Sequence, residues 1–114
     1  MTTVVIVGGG PGGYEAALVA HQLGADVTVV DRDGLGGSAV LTDCVPSKAL
    51  IATANVITAA ASSASLGVRI NGQTPDPSLI GVDLGEVNQR IRQLAAAQSA
   101  DISDRLAREG IRVV

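Results

Sequence analysis

The chain has 114 residues, with 8 Lys and Arg against 11 Asp and Glu, which gives a formal net charge of −3. This balance argues against a nucleic-acid surface, which needs a clustered basic face, and the single cysteine excludes an internal disulfide. The first ten residues show neither a basic leader nor an apolar run of signal-peptide length, and polar residues interrupt the Ala-rich stretch 49–66. We therefore expect a cytoplasmic chain without a membrane span.

The first thirty residues predict a βαβ unit. Residues 3–7, TVVIV, form a β-branched run that ends at a glycine cluster, as is typical of a buried parallel strand. The pattern turns helical from Pro11 to Leu23, and Gly24 is a natural stop. The expected apolar face of this helix comprises Ala16, Ala17, Val19, Ala20 and Leu23. Residues 25–31 are a second β-branched run that ends in an acid, so the strands should be parallel.

The middle of the chain predicts a glycine-rich loop followed by a helix. Residues 32–45 hold three glycines and are expected to form the loop. A helix should then begin at Pro46, a residue suited to a first turn, and end by Gly67. Residues 68–70 could form a short strand, and residues 71–81 have the prolines and glycines of a surface excursion.

The last third predicts one long helix and a strand. Asp83 could cap a helix that runs to Glu109 and stops at Gly110. Its apolar stripe comprises Leu84, Val87, Ile91, Leu94, Ala95, Ile102 and Leu106. The final residues, IRVV, are predicted to be a third core strand. Because a three-stranded parallel sheet leaves open edges and an under-filled core, we expect the chain to be the N-terminal part of a larger protein.

A dinucleotide fingerprint lies between the first strand and the first helix. Gly8, Gly10 and Gly13 form Gly-x-Gly-x-x-Gly. The first glycine makes the tight turn, the second lets backbone approach a pyrophosphate, and the third lets the helix pack close to the strand. The pyrophosphate would lie at the helix N-terminus, where free N–H groups and the helix dipole favour negative charge. Because the strand, helix and terminal acid all follow, the motif predicts an adenine dinucleotide site.

Asp31, at the end of the second predicted strand, is expected to accept hydrogen bonds from the adenosine ribose diol. An acid at this position argues against a ribose 2′-phosphate. The fingerprint alone leaves FAD and NAD both open.

A second glycine pair and the only cysteine follow in GLGGSAVLTDCVPSKAL, residues 34–50. Gly36 and Gly37 should lie at the same edge of the sheet as Asp31. Cys44 precedes a helix N-terminus, whose dipole favours the thiolate form. Lys48 opposes that dipole, so we expect it to have an anionic or hydrogen-bonding partner. Ser47 is predicted to satisfy N–H groups at the helix end.

These motifs together resemble the N-terminus of the pyridine nucleotide–disulfide oxidoreductases, a family of FAD enzymes that includes lipoamide dehydrogenase. The resemblance covers the whole chain and is most specific at Gly-Gly followed by Cys-Val-Pro-Ser-Lys. It implies an α/β, Rossmann-like FAD-binding domain with a long helical insertion, 46–110, between the second and third core strands. It also implies that FAD is bound, that Cys44 faces the flavin ring and that Lys48 approaches its N5 edge. NADH or NADPH would be the electron donor.

The sequence departs from the dithiol members of the family at one position. When Gly36 and Gly37 are aligned with the family's glycine pair, the first redox cysteine is replaced by Ala39, and Cys44 stands at the second. No disulfide can form in this loop, so the relay from flavin through a disulfide is broken. The pattern is most similar to lipoamide-dehydrogenase-like flavoproteins that reduce quinones with NAD(P)H.

Three alternatives stay open at this point. The protein could be a lone-cysteine thiol or peroxide reductase, or a dihydrolipoamide dehydrogenase-like enzyme. The chain by itself could be a non-catalytic dinucleotide-binding module. Cys44 could equally be a small apolar residue that packs against the flavin.

The resemblance and the fingerprint define one set of predicted site residues. Cys44 and Lys48 are the predicted catalytic residues. The predicted cofactor-binding residues are Gly8, Gly10, Pro11, Gly12, Gly13, Asp31, Arg32, Gly36, Gly37, Ser38, Cys44 and Lys48. His21 has no second ligand at metal-binding spacing, so no metal site is predicted. The expected partners are a quinone-type acceptor and, because the family is usually homodimeric, a second copy of the protein.

Overall fold

The first βαβ unit forms where the sequence pattern predicts it. In the computed structural model, which describes all 114 residues, β1 spans Thr3–Val7, α1 spans Pro11–Gln22 and β2 spans Asp26–Val30. Gly24 adopts φ +88° just beyond α1, a left-handed conformation that glycine tolerates at a helix end. β1 and β2 are parallel neighbours, which confirms the predicted strand arrangement.

Residues 32–45 are more ordered than predicted. A short helix, α2, spans Gly37–Leu41, and the following helix, α3, spans Cys44–Ser62. The expected continuous loop and the expected helix start at Pro46 were therefore wrong. The left-handed φ of +99° at Gly36 turns the chain into α2, and Pro46 lies within the first turn of α3, where proline is tolerated.

A loop of residues 67–83 connects α3 to the last helix, and hydrogen bonds within the loop order much of it. A 3-10 turn, Ser63–Leu66, extends α3 to its predicted end at Gly67, whose φ is +83°. A second 3-10 turn, Pro77–Leu79, lies in the second half of the loop, where the Asp76 side chain accepts a hydrogen bond from the Ser78 backbone N–H at 2.9 Å.

The predicted strand at 68–70 does not form. Instead, Ile70 pairs with Gln73 in an isolated antiparallel bridge across a tight turn. Asn71 and Gly72 have φ values of +50° and +77°, which is the type I′ geometry that Asn-Gly favours. The Asn-Gly pair was the sequence signal for this turn.

The long helix and the third strand are both present. α4 spans Leu84–Arg108, and the Asp83 side chain accepts a hydrogen bond from the Glu86 backbone N–H at 3.0 Å, which confirms the predicted cap. β3 spans Arg112–Val113 and pairs in parallel with β2, so the sheet order is β1-β2-β3. The third strand is thus confirmed but covers only the middle of 111–114.

The core lies between one face of the sheet and helices α1 and α4. Its buried residues are Ala17, Leu18, Val27, Val29, Leu35, Leu106 and Ile111. The predicted apolar face of α1 was partly wrong, because Leu18 is buried whereas Ala16, Val19 and Leu23 are exposed.

The apolar stripe of α4 is also only partly used. Ile91, Ala95 and Leu106 are buried, but Leu84 and Leu94 of the predicted stripe are exposed. α4 packs against α3 and α2 as well as against β3 and α1.

The molecule is elongated because α3 and α4 extend together beyond the sheet. Its extents are 70 × 24 × 18 Å and its radius of gyration is 20.9 Å, against about 13 Å for a compact domain of this length. No residue of α3 is buried. The helical stretch Gly37–Leu66 is long and apolar enough to cross a membrane by length and composition alone, with a mean hydropathy of 1.5.

Candidate functional site

The carboxyl edge of the sheet gathers the predicted glycines around the start of α1. Gly8 donates its backbone N–H to the Val30 carbonyl at 2.8 Å, which holds the end of β1 beside the end of β2. Gly13 packs so closely on this turn that a Cβ atom there would overlap the Gly8 carbonyl oxygen. The fold therefore requires glycine at position 13 for close packing of helix on strand, as the fingerprint predicted.

The N-terminus of α1 offers unpaired backbone donors. Gly10 caps the helix without any side-chain hydrogen bond, and the backbone N–H of Tyr14 donates to the Gly10 carbonyl at 3.0 Å. Because Pro11 has no N–H, the N–H groups of Gly12 and Gly13 are the free donors of the first turn. A side chain added at Gly12 would meet nothing within 4 Å, so the space beside these donors is open. These features fit a bound diphosphate.

Asp31 holds the two glycine loops together. Its Oδ2 accepts the backbone N–H of Gly9 at 2.7 Å, and its Oδ1 accepts those of Asp33 at 2.9 Å and Gly34 at 2.7 Å. The hydrogen bond from Gly9 is the main cause that lowers the pKa of this carboxyl below its ordinary value, while partial burial acts in the opposite direction. The three bonds leave one lone pair, on Oδ2, for a further donor.

Asp31 was predicted to bind both ribose hydroxyls, but backbone N–H groups already use most of the hydrogen-bonding capacity of its carboxylate. Asp31 has capacity for one hydroxyl on Oδ2. The two glycine loops, 8–13 and 34–37, are fastened to each other through this side chain.

The second glycine loop packs against the first at backbone level. Gly36 donates its N–H to the Gly9 carbonyl at 2.8 Å. Gly37, with φ +57°, lies so near Gly10 that a Cβ atom on it would be 2.8 Å from the Gly10 Cα. The structure therefore brings together Gly8, Gly10, Gly13, Asp31, Gly36 and Gly37 of the predicted set.

Two other predicted cofactor residues make different contacts. The Arg32 guanidinium binds the neighbouring Asp33 carboxylate at 3.2 and 3.3 Å, and its side chain is 91% exposed. This carboxylate raises the pKa of Arg32. Ser38 is exposed in α2, and its carbonyl accepts the backbone N–H groups of Thr42 at 3.0 Å and Asp43 at 2.7 Å. These two bonds end α2 directly before α3.

Cys44 and Lys48 stand four residues apart at the start of α3 and therefore lie on the same face of the helix. Both are exposed, and Cys44 is a free thiol. The partner predicted for Lys48 is not within this chain, because its ammonium group forms no hydrogen bond or ion pair here.

Ser47 contacts carbonyl groups, contrary to the prediction that it would satisfy N–H groups at the helix end. Its hydroxyl donates to the Asp43 carbonyl at 2.6 Å and to the Cys44 carbonyl at 3.3 Å. A serine one turn into a helix reaches the carbonyl of the preceding turn more readily than the free N–H groups. Ala39, the residue at the first redox-cysteine position, is half-buried in α2.

Helix α4 also contributes to this edge, which the sequence pattern did not predict. Its side chains help to line a cavity of about 450 Å³ beside Asp31 and Leu35. The α4 residues are Ala96, Ser99, Ala100 and Ser103. Their i, i+3, i+4, i+7 spacing places four small residues on one face, which was the available signal.

The chain matches a family model and several characterised proteins. The model of the pyridine nucleotide-disulphide oxidoreductases matches residues 2–114. An NAD(P)H dehydrogenase (quinone) from Mycobacterium tuberculosis is 45% identical over 117 residues, which cover 100% of this chain and 23% of that protein. A dihydrolipoyl dehydrogenase from Haloarcula marismortui is 48% identical over 67 residues, 59% of this chain and 14% of that protein.

Solved structures show the same architecture. The crystal structure of LpdA from Mycobacterium tuberculosis has a TM-score of 0.86 and 44% identity, and the match covers 100% of this chain and 23% of that one. The HOCl-induced flavoprotein disulfide reductase RclA from Escherichia coli, with a TM-score of 0.71 and 19% identity, shares the fold over 100% of this chain and 21% of its own. The α/β fold of an N-terminal FAD-binding domain is confirmed, and the chain belongs to the pyridine nucleotide-disulphide oxidoreductase family.

Proposed function

We propose that the carboxyl edge of the sheet binds FAD. The N–H groups of Gly12 and Gly13 would hold the diphosphate at the start of α1, and the free lone pair of Asp31 Oδ2 would accept one ribose hydroxyl. The observation that carries this proposal is the pair of cross-loop hydrogen bonds, Gly9 to Asp31 and Gly36 to Gly9, at 2.7 and 2.8 Å. They hold two side-chain-free backbone segments together next to unpaired helix donors, which favours a diphosphate.

A titration of the purified protein that contains residues 1–114 tests the cofactor. We expect FAD to bind saturably and to raise the unfolding temperature, because a ligand that binds only the native state stabilises it. NAD tested in parallel separates the two dinucleotides that the fingerprint leaves open. Preferential binding of NAD to this site would contradict the proposal.

We propose further that the protein of which these residues form part transfers electrons from NAD(P)H to a quinone without a disulfide relay. The flavin would supply the two-electron exchange between the nicotinamide and the acceptor. In the overall reaction NAD(P)H, a proton and the quinone give NAD(P)⁺ and the hydroquinone, so no thiol needs to change its oxidation state. Support comes from Ala39 at the first redox-cysteine position and from the quinone-reducing relative.

Within this chain, Cys44 and Lys48 have the accessibility that such a site needs. Both side chains are exposed on one face at the start of α3, and Lys48 has no partner that would hold it elsewhere. We propose that Lys48 provides a positive charge and a hydrogen-bond donor toward the flavin. Cys44 would pack on the same side as a small apolar group.

Comparison of acceptors separates this function from a lipoamide dehydrogenase. We expect turnover of a soluble quinone with NADH or NADPH and none with dihydrolipoamide and NAD⁺. Ala39→Cys restores two cysteines at the family spacing and is the matched variant for these two assays. Strong dihydrolipoamide turnover by the natural sequence would overturn the proposal.

The exposure of Cys44 favours one second candidate, a lone-thiol reductase that cycles through a sulfenic acid. Cys44→Ala discriminates the two chemistries. Unchanged quinone turnover in this variant supports direct transfer to the acceptor, whereas loss of peroxide turnover alone would support the thiol route. A non-catalytic binding module would bind FAD but reduce neither acceptor.

We propose that the protein is a homodimer, with the exposed apolar residues of α3 and α4 contributing to the contact. Leu50, Ile51 and Val56 of α3 and Leu84 and Leu94 of α4 are between 42% and 70% exposed. We attribute the apolar character of Gly37–Leu66 to this contact and to the packing of α2, α3 and α4 on one another. We therefore propose a cytoplasmic enzyme without a membrane span. Sedimentation of the protein and of Val56→Asp tests the dimer, which the substitution should weaken.

A further inference from the structure

A second cavity lies at the far end of the helical pair, in the 67–83 loop. Its volume is about 730 Å³, and its wall consists of Ala60 of α3, Ser63 of the following 3-10 turn and residues of the loop. The distance from Cys44 to Ala60 along α3 is about 24 Å at 1.5 Å per residue, so the cavity is separate from the proposed flavin site within one chain. Nothing in the proposed electron transfer uses it.

The loop around this cavity is preformed by its own hydrogen bonds. The Ile70 and Gln73 backbones exchange two hydrogen bonds, of 2.9 and 3.0 Å, across the Asn-Gly turn. Pro75 is buried, and the Ser78 hydroxyl and N–H both donate to Asp76 Oδ1, at 2.7 and 2.9 Å. These contacts order part of the cavity's frame before a ligand binds, which lowers the entropic cost of binding.

The lining of the cavity defines the chemistry of a ligand. The apolar wall consists of Ala60, Val68, Ile70, Pro75, Leu79 and Ile80. Asn71, Gln73 and Thr74 add polar side chains that form no hydrogen bond within the chain, so they can orient a bound molecule. The only charged residue in the lining is Asp76, and no Lys, Arg or His is present to attract an anion.

We propose that this loop cavity binds an uncharged, mostly apolar small molecule. The apolar wall provides the burial that drives such binding, and the unpaired amide and hydroxyl groups provide orientation, a combination typical of small-molecule sites. The carboxylate of Asp76 disfavours an anion of the same shape. Hydrogen bonds from Ser78 lower the pKa of Asp76, so this charge is present at neutral pH.

Two fluorescent probes with the same aromatic skeleton test the proposal on the purified protein that contains residues 1–114. N-phenyl-1-naphthylamine is uncharged, whereas 8-anilinonaphthalene-1-sulfonate carries a sulfonate. We expect the uncharged probe to bind saturably at one site per chain and more tightly than the sulfonate. Asp76→Asn keeps the oxygen that Ser78 contacts but removes the charge. It should therefore reduce the difference in affinity between the two probes.

A matched pair of variants locates the binding. Ala60→Phe fills the cavity from α3, and Ala59→Phe adds the same ring at the neighbouring, exposed position. We expect affinity for the uncharged probe to fall at least about tenfold in the first variant and to change little in the second. Ile70→Ser, which makes the wall polar without adding volume, should also weaken binding if Ala60→Phe fails to fold.

Either of two results would overturn the proposal. One is the absence of saturable binding of the uncharged probe. The other is equal affinity in the natural protein, Ala60→Phe and Ile70→Ser, which would place the probe elsewhere. FAD titration of the same samples is independent, because the cavity and the glycine loops share no residue. Loss of probe binding with intact FAD binding therefore rejects this site alone.

Discussion

Gly37→Ala tests whether contact between the two glycine loops builds the cofactor site. Gly37 has φ +57°, and a Cβ atom added to it would be 2.8 Å from the Gly10 Cα. The obstructing atom belongs to the backbone, so no side-chain rotation can relieve the overlap. The loops would have to separate, and the first turn of α1 would lose its support.

The expected cost follows from these two features. A left-handed conformation costs a non-glycine residue about 1–2 kcal/mol, and overpacking adds about 1–3 kcal/mol. Reduced freedom of the unfolded chain offsets up to about 1 kcal/mol. We therefore expect the free energy of unfolding to fall by about 1–5 kcal/mol, compared with the about 5–15 kcal/mol of a typical domain.

Chemical denaturation of the apoprotein measures the free energy of unfolding, and FAD titration measures the affinity of the site for FAD. Gly12→Ala is the matched stability control, because it adds the same methyl group to open space in α1. It should raise stability by up to about 1 kcal/mol through helix propensity. A change below about 0.5 kcal/mol in Gly37→Ala, with unchanged FAD affinity, would refute the reasoning, because ordinary surface substitutions have effects of that size.

Three further predictions concern the fold and its pH dependence. Because native hydrogen bonds lower the pKa of Asp31, its contribution to stability is complete well above pH 3.8 and is lost as the pH falls toward the lowered native pKa. When acid unfolding is followed by circular dichroism, the stability of Asp31→Asn should depend less on pH than that of the natural protein. Leu106→Ala removes a fully buried side chain and should cost about 2–5 kcal/mol, whereas Leu94→Ala, at 42% exposure, should cost much less in the same denaturation assay. In hydrogen exchange, amides of α3 should exchange faster than those of β2, because α3 has no buried residue. Equal protection of the two elements would contradict this.

Local sequence patterns determined the elements that carry the cofactor fingerprint. A β-branched run, a glycine turn and a helical repeat of apolar residues each constrain backbone geometry over a few residues. β1, α1 and β2 therefore form where they were predicted. Asp83 caps α4 for the same local reason. The sequence did not determine which face of α1 is buried, because apolar residues surround most of the helix. Leu18 is buried because the sheet lies on that side.

Only the tertiary structure decided which backbone groups meet at the site. The sequence by itself determined the glycine positions, the acid at the end of β2, the lone cysteine and the family. It did not show that Asp31 binds Gly9, Asp33 and Gly34, because these contacts depend on how the two loops pack after the strands pair. The order within residues 37–45 and the cavity at the 67–83 loop likewise arise from contacts between segments, and periodicity along one segment carries no information about them.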